Sequence, residues 1–89
     1  MKHVIKRNSK SEVFDERKLY ASIYATCLSV HELPKTAELT AQKVNNQVIA
    51  WLAKKTEVTS YDIRQAAGKF LTDINHHAGY LYLHHRIMW

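Results

Sequence analysis

The sequence predicts a mainly helical α+β domain: a four-helix bundle capped by a small three-stranded antiparallel β-sheet. Three observations lead there. Near the N-terminus, "HVIKR" and "SEVF" alternate apolar and polar residues on either side of "NSK", the pattern of a β-hairpin. From Leu19 onward, apolar residues recur at three- and four-residue spacing instead, the pattern of helices. With only 2 Gly and 1 Pro in 89 residues, these helices meet few breakers, and short turns make sequential neighbours antiparallel.

The bulk properties narrow the class further. A chain of 89 residues that is 46% hydrophobic supports one core, so residues 1–89 form a single domain. A core of this size gains from a ligand, a partner or self-association. Cys27 is the only cysteine, which excludes an intrachain disulfide, a zinc ribbon and a Cys-x-x-Cys redox site. A soluble protein in a reducing, cytoplasmic setting is expected, because there is neither a secretory pattern nor an apolar run of about 18 residues. The net charge of +5 suits an anionic partner: nucleic acid, free nucleotide or an acidic protein. Charge this mild also serves solubility alone.

Each element has a local cause. With a three-residue hairpin turn, Lys6 opposes Glu12, Val4 opposes Phe14 and Ile5 opposes Val13. Val4, Lys6, Glu12 and Phe14 then share one face, while Ile5 and Val13 face the core. A four-residue loop would mix the two sets. Asp15 caps the first helix, with Phe14 and Leu19 placed as a hydrophobic staple. Leu19, Ile23, Cys27 and Val30 form its stripe, widened by Tyr20, Tyr24 and Leu28. "HELPKT" interrupts the pattern. A second helix over 35–54 carries Ala37, Ala41, Val44, Val48, Trp51 and Leu52.

"TEVTS" is extended, and Val58 supplies the third strand. Thr59 and Asp62 form a capping box that starts a third helix, striped by Ile63, Ala66, Ala67, Phe70, Leu71 and Ile74. Gly68 and the alanines let a neighbouring helix come close. A turn near "NHHAG" leads to a fourth helix with Tyr80, Leu83 and Ile87. The aromatic residues Tyr20, Tyr24, Trp51 and Tyr80 read as core.

No Ser–His–Asp order, P-loop or paired carboxylates on one face is visible, so no enzyme is expected. Four histidines cluster late, but His77 and His84 would lie about 10 Å apart along one helix. Zinc ligands sit within about 2 Å of the metal. No metal site is therefore expected.

Over 4–19 the pattern "VIKR…E.FD..KL", followed by "SIYATCLSV", "EVTSYDI" and "GYLYLHHRI" in that order, resembles the ATP-cone family. These are nucleotide-sensing domains of ribonucleotide reductases and of zinc-ribbon repressors of reductase genes. The resemblance spans nearly the whole chain. It implies a four-helix bundle under a small sheet, with ATP or dATP bound beneath the sheet, Mg²⁺ carried by the phosphates, and oligomeric state set by the nucleotide. Carried over position by position, it places Lys6, Arg7 and Lys18 near the phosphates and Glu12 and Asp15 against the base. It makes Val4, Phe14 and Leu19 the apolar walls, and puts Ser60 and Arg64 near phosphate and sugar.

The chemistry suits those roles, since a triphosphate needs several cations or backbone donors and an adenine amino group needs an acceptor. Each residue also has a purely structural reading: Lys6 and Glu12 as a cross-strand ion pair, Asp15 as a cap, Phe14 as core, Lys18 as a solvated first-turn residue. The sequence departs from the family at "RNSK", where an acidic residue and a glycine are common. It also ends at Trp89, short of a further basic phosphate ligand, and has neither catalytic barrel nor zinc ribbon. A regulator acting in trans, as a homo-oligomer or on a partner such as ribonucleotide reductase or its gene control, is expected. The alternatives are a basic nucleic-acid-binding module and a protein-interaction domain that has lost its ligand.

Overall fold

A computed structural model describes the backbone of residues 3–5 and 11–84 and the side chains of residues 13–84. Lys6 and Arg7 lie outside the described residues, as does the predicted core position Ile87. In chain order the elements are β1 (His3–Ile5), β2 (Ser11–Val13), α1 (Glu16–Ser29), α2 (Pro34–Leu52), β3 (Val58–Thr59), α3 (Ser60–Ile74) and α4 (His76–His84).

The mainly helical expectation holds; the antiparallel sheet does not. β1 lies between β2 and β3, antiparallel to β2 and parallel to β3. β3 reaches β1 only after two helices, and a helical crossover is the connection that joins parallel strands. The hairpin register also differs from the one predicted. His3 faces Val13, Val4 faces Glu12 and Ile5 faces Ser11, a shift of two residues. A two-residue shift keeps the alternation of faces but exchanges partners, so Val4 opposes Glu12 rather than Phe14. Phe14 has left the sheet and packs, half-buried, against the core.

The orientation of the sheet is the reverse of the one expected from the hairpin alone. Val58, aligned with Val4 on the other side of β1, is 2% exposed, whereas Val13 is 46% exposed. The row Glu12–Val4–Val58 therefore ends in the core, and the row through Val13 ends in solvent. Two apolar residues in the hairpin could not decide this; the third strand does.

The helices follow their stripes with local adjustments. In α1, Leu19, Ile23 and Cys27 are fully buried, but the stripe widens toward Ser22 and Thr26 rather than Leu28. Both hydroxyls bond back to main-chain oxygens, Ser22 to Leu19 at 2.8 Å and Thr26 to Ser22 at 2.8 Å, so they bury without an unmet donor. Tyr20 and Tyr24 are half-buried and stacked, with ring centroids 6.3 Å apart. α1 ends in a Schellman motif: the Glu32 amide donates to the Cys27 carbonyl and the His31 amide to the Leu28 carbonyl. His31 takes the left-handed position at φ 69°.

Pro34 occupies the first turn of α2, where its missing N–H costs nothing. The helix buries Ala37, Ala41, Val44, Val48 and Leu52 as its spacing predicts, with Trp51 half-buried at the edge. The capping box of α3 is present, Asp62 N–H to Thr59 Oγ1 at 3.1 Å and Thr59 N–H to Asp62 Oδ2 at 3.0 Å. The α3–α4 joint is one residue, Asn75, rather than a turn through "NHHAG". Its amide closes α3 on the Leu71 carbonyl, and its side chain caps α4 at the Ala78 amide. This tight joint rotates α4 relative to the predicted stripe. Tyr82 is fully buried and Tyr80 is 58% exposed.

Each helix packs on the next, and α4 closes back on α1. α3 and α4 approach through Gly68 and Gly79. A Cβ on Gly68 would strike the Leu83 side chain, and one on Gly79 would strike the Thr72 backbone. The N-termini of α1 and α3 both lie at the sheet. At the opposite end, the half-buried Glu32 carboxylate accepts from Thr40 of α2 and from Asn75 between α3 and α4.

Candidate functional site

The residues singled out in the sequence fall into two groups, one leading from β2 into α1 and the other from β3 into α3. Each helix follows directly on its strand. Asp15 Oδ1 accepts from the Arg17 amide at 2.9 Å and caps α1. That bond holds the Asp15 carboxyl below its ordinary value, helped by the charges of Arg17 and Lys18. Phe14 and Leu19 occupy the staple positions. Leu19 is 0% exposed and belongs to the core, so Phe14 is the more accessible of the two.

Lys18 is exposed in the first turn of α1, beside the exposed Arg17. Two cations at a helix N-terminus oppose the helix dipole. An anion bound between them would reverse that penalty. Ser60 is the first residue of α3 and is half-buried, and Arg64 follows one turn later on the same face. Arg64 Nη2 donates to the Tyr82 main-chain oxygen at 3.3 Å.

Val4 and Glu12 stand opposite each other in the sheet, on the row that continues to buried Val58. The predicted apolar wall and the predicted acceptor thus sit side by side in register. Lys6 and Arg7 lie outside the described residues.

Of three residues that the sequence did not single out, two join the two groups. Ser22, one turn beyond Lys18, lies 3.1 Å from the Tyr82 hydroxyl. Tyr82 in turn is held at its carbonyl by Arg64. Ser22 Oγ already donates to the Leu19 carbonyl, so the tyrosine must be the donor between the two hydroxyls. Burial pushes the Tyr82 phenol up from its ordinary range, which keeps that donor proton in place. The spacing of Ala78 and Tyr82 was the available signal; Tyr80 masked it. Glu32 is the third such residue, at the far end.

A separate groove of about 670 Å³ runs along α3, lined by Trp51, Lys55, Tyr61, Gln65 and Lys69 among others. Lys55 Nζ lies 5.3 Å above the Trp51 ring. At about 100° per residue, Tyr61, Gln65 and Lys69 lie on the side of α3 turned away from Ser60 and Arg64. The groove thus lies on another face of α3 from Ser60 and Arg64, and reaches the sheet only at Val58.

Among the described residues, no three His, Cys, Asp or Glu side chains come together to hold a metal. His84 stacks on Tyr80 with ring centroids 4.2 Å apart. No helix among the described residues is long and apolar enough to cross a membrane.

At the strand-to-helix junctions the described side chains include the half-buried Phe14, the exposed Lys18 and the half-buried Arg64. Comparison with curated proteins returns no match. A family model, the ATP cone domain, matches residues 2–89.

Proposed function

Because this chain belongs to the ATP-cone family, a family of nucleotide-sensing regulatory domains, we propose that it binds ATP or dATP beneath the sheet and uses occupancy to control self-association or a partner. The observation that carries this reading is the register row Glu12–Val4–Val58. It pairs an acceptor residue with an apolar one in backbone register, on the row that continues to the buried Val58.

Glu12 and Asp15 read the base, with Val4 and Phe14 as its walls and Leu19 supporting Phe14 from the core. Asp15 already spends Oδ1 on the helix cap, so Glu12 is the main acceptor. Lys6, Arg7 and Lys18 meet the phosphates from the hairpin and α1. Ser60 and Arg64 meet phosphate and sugar from α3. Mg²⁺ arrives with the phosphates. The regulated partner is a second copy of the chain or a protein in trans, with ribonucleotide reductase or its gene control as the family-level candidate.

Isothermal titration with ATP, dATP and GTP tests the reading. Heat and a raised melting temperature with adenine nucleotides, and weaker binding of GTP, are expected. Neither heat nor a melting shift at millimolar ATP or dATP would overturn it. Lys18→Ala and Lys6→Ala should each weaken binding by about ten- to a hundredfold, the loss of one charge-assisted bond of about 1.5–3 kcal/mol. Salt dependence on DNA or RNA without nucleotide binding would instead identify the basic nucleic-acid module.

A further inference from the structure

Asp62 and Lys69 lie seven residues apart on α3, and both line the groove. Seven residues turn a helix through about 700°, within about 20° of two full turns, so the two charges share one face. They stand about 10 Å apart along the axis, too far to pair with each other. Both are exposed, and neither has an ion-pair partner among the described residues. Between them come Gln65, exposed, and the small Ala66, half-buried. Apolar surface marks each end of the same stretch. Tyr61, beside Asp62, is 67% exposed. Leu83 of α4 reaches in near Lys69, over Gly68.

The charges select the occupant. A groove of one sign suits an acidic or a basic partner, but this one carries both signs, at opposite ends of one helix face. Lys55 and Glu57, also lining it, are again one of each. Such a face is complementary to itself when turned end for end. That is the requirement of a two-fold interface, where residue i meets residue j and j meets i.

We propose that the groove is the contact surface of a homodimer, in which α3 packs antiparallel on α3 of a second copy about a two-fold axis at Gln65–Ala66.

Counting outward from that axis gives the contacts. Asp62 meets Lys69 of the second copy, and Lys69 meets its Asp62. Gln65 faces Ala66, whose small side chain lets the helices approach. Tyr61 falls one residue beyond Asp62, which brings its ring over Leu83 of the second copy. Asp62 serves the contact and the helix cap together: Oδ2 accepts from the Thr59 amide at 3.0 Å, and a carboxylate has further acceptor positions. One helix face with its flanks is at the low end of specific interface areas, so the dimer forms and parts readily. It needs no nucleotide, and so stands apart from the nucleotide reading above.

Sedimentation equilibrium of the full ligand-free chain, from about 10 μM to about 1 mM, tests this in the range of a weak interface. A monomer–dimer equilibrium is expected. Lys69→Glu sets an acid against Asp62 twice per dimer and should weaken association about tenfold. Tyr61→Ala should weaken it as well, and is the second variant should the first not fold. With an added oxidant, Gln65→Cys should give a disulfide-linked dimer, since Cys27 is buried. Lys43→Cys, exposed on α2 away from the groove, should not. A monomer throughout overturns the dimer. A dimer unmoved by both Lys69→Glu and Tyr61→Ala, or not cross-linked through Gln65→Cys, overturns this surface. NMR movement of the Tyr61, Gln65 and Lys69 amides with MgATP but not with chain concentration also overturns it, because a small ligand would then be the occupant. Binding heat from ATP in a chain that stays monomeric overturns the dimer alone. A dimer without binding heat upholds the dimer and overturns the nucleotide reading.

Discussion

The Tyr82 hydroxyl lies 3.1 Å from the Ser22 hydroxyl, a buried bond that ties α4 to α1. Its two ends are unequal. Ser22 also bonds the Leu19 carbonyl, whereas the Tyr82 hydroxyl has Ser22 as its acceptor among the described residues. Ser22→Ala strands a buried donor and should cost about 1–3 kcal/mol. Tyr82→Phe removes the donor itself and should cost about 0.5–1.5 kcal/mol. Urea denaturation of both variants checks the order; an equal or reversed loss would contradict the assigned direction of the bond.

The two close-approach glycines should also differ from each other. A methyl at Gly68 meets the end of the Leu83 side chain, which can change rotamer. A methyl at Gly79 meets the Thr72 backbone, which cannot move without shifting α3. Gly79→Ala should destabilise at or above the upper part of the usual overpacking range of about 1–3 kcal/mol, and Gly68→Ala near its lower end. Thermal melts of the two single variants decide it.

His31 holds a left-handed conformation at the end of α1. An L-residue there carries roughly 1–2 kcal/mol of strain that glycine lacks, offset in part by the greater freedom of glycine in the unfolded chain. His31→Gly should raise stability by about 0.5–1 kcal/mol. A lower melting temperature would mean that the His31 side chain contributes more than its backbone costs.

Alkaline pH should weaken the fold. Burial, with the Glu32 carboxylate beside it, pushes the Cys27 thiol from 9.0 up to about 12, and burial raises the Tyr82 phenol above 10.0. Both groups stay protonated in the folded chain while the unfolded chain releases its protons at the ordinary values. Their contribution is intact below pH 9 and is lost as pH climbs toward about 12. Cys27→Ala should delay the onset of that decline until tyrosine begins to ionise. Stability profiles from pH 8 to 11 show whether it does.

What could be read from the sequence was what neighbouring residues decide. The Asp15 cap, the Thr59–Asp62 box and the stripe of α2 each depend on residues within a turn or two, and each stands as read. Which face of the hairpin is buried depends on β3, which approaches from the other side of β1, and no local pattern reports it. Tyr82 lost to Tyr80 because either tyrosine falls on an apolar stripe, Tyr80 with Leu83 or Tyr82 with Ala78, and spacing alone does not choose between them. The Schellman turn passed unnoticed because histidine, not glycine, holds the left-handed place. Of the candidate site, the residue types and their order were legible. The Arg64–Tyr82 bond was not, because a main-chain oxygen is the same in every sequence.

The parallel pairing of Val4 with Val58 has a consequence for how the molecule assembles. β1 is made first but has its second neighbour only after α1 and α2 have folded and brought the chain back. Closing so long a loop is slow, and the reward is only two residues of strand. The sheet is thus the last part to complete and the first to open, with the helices already packed beneath it. Exchange of sheet amides faster than that of α2 amides would be its signature.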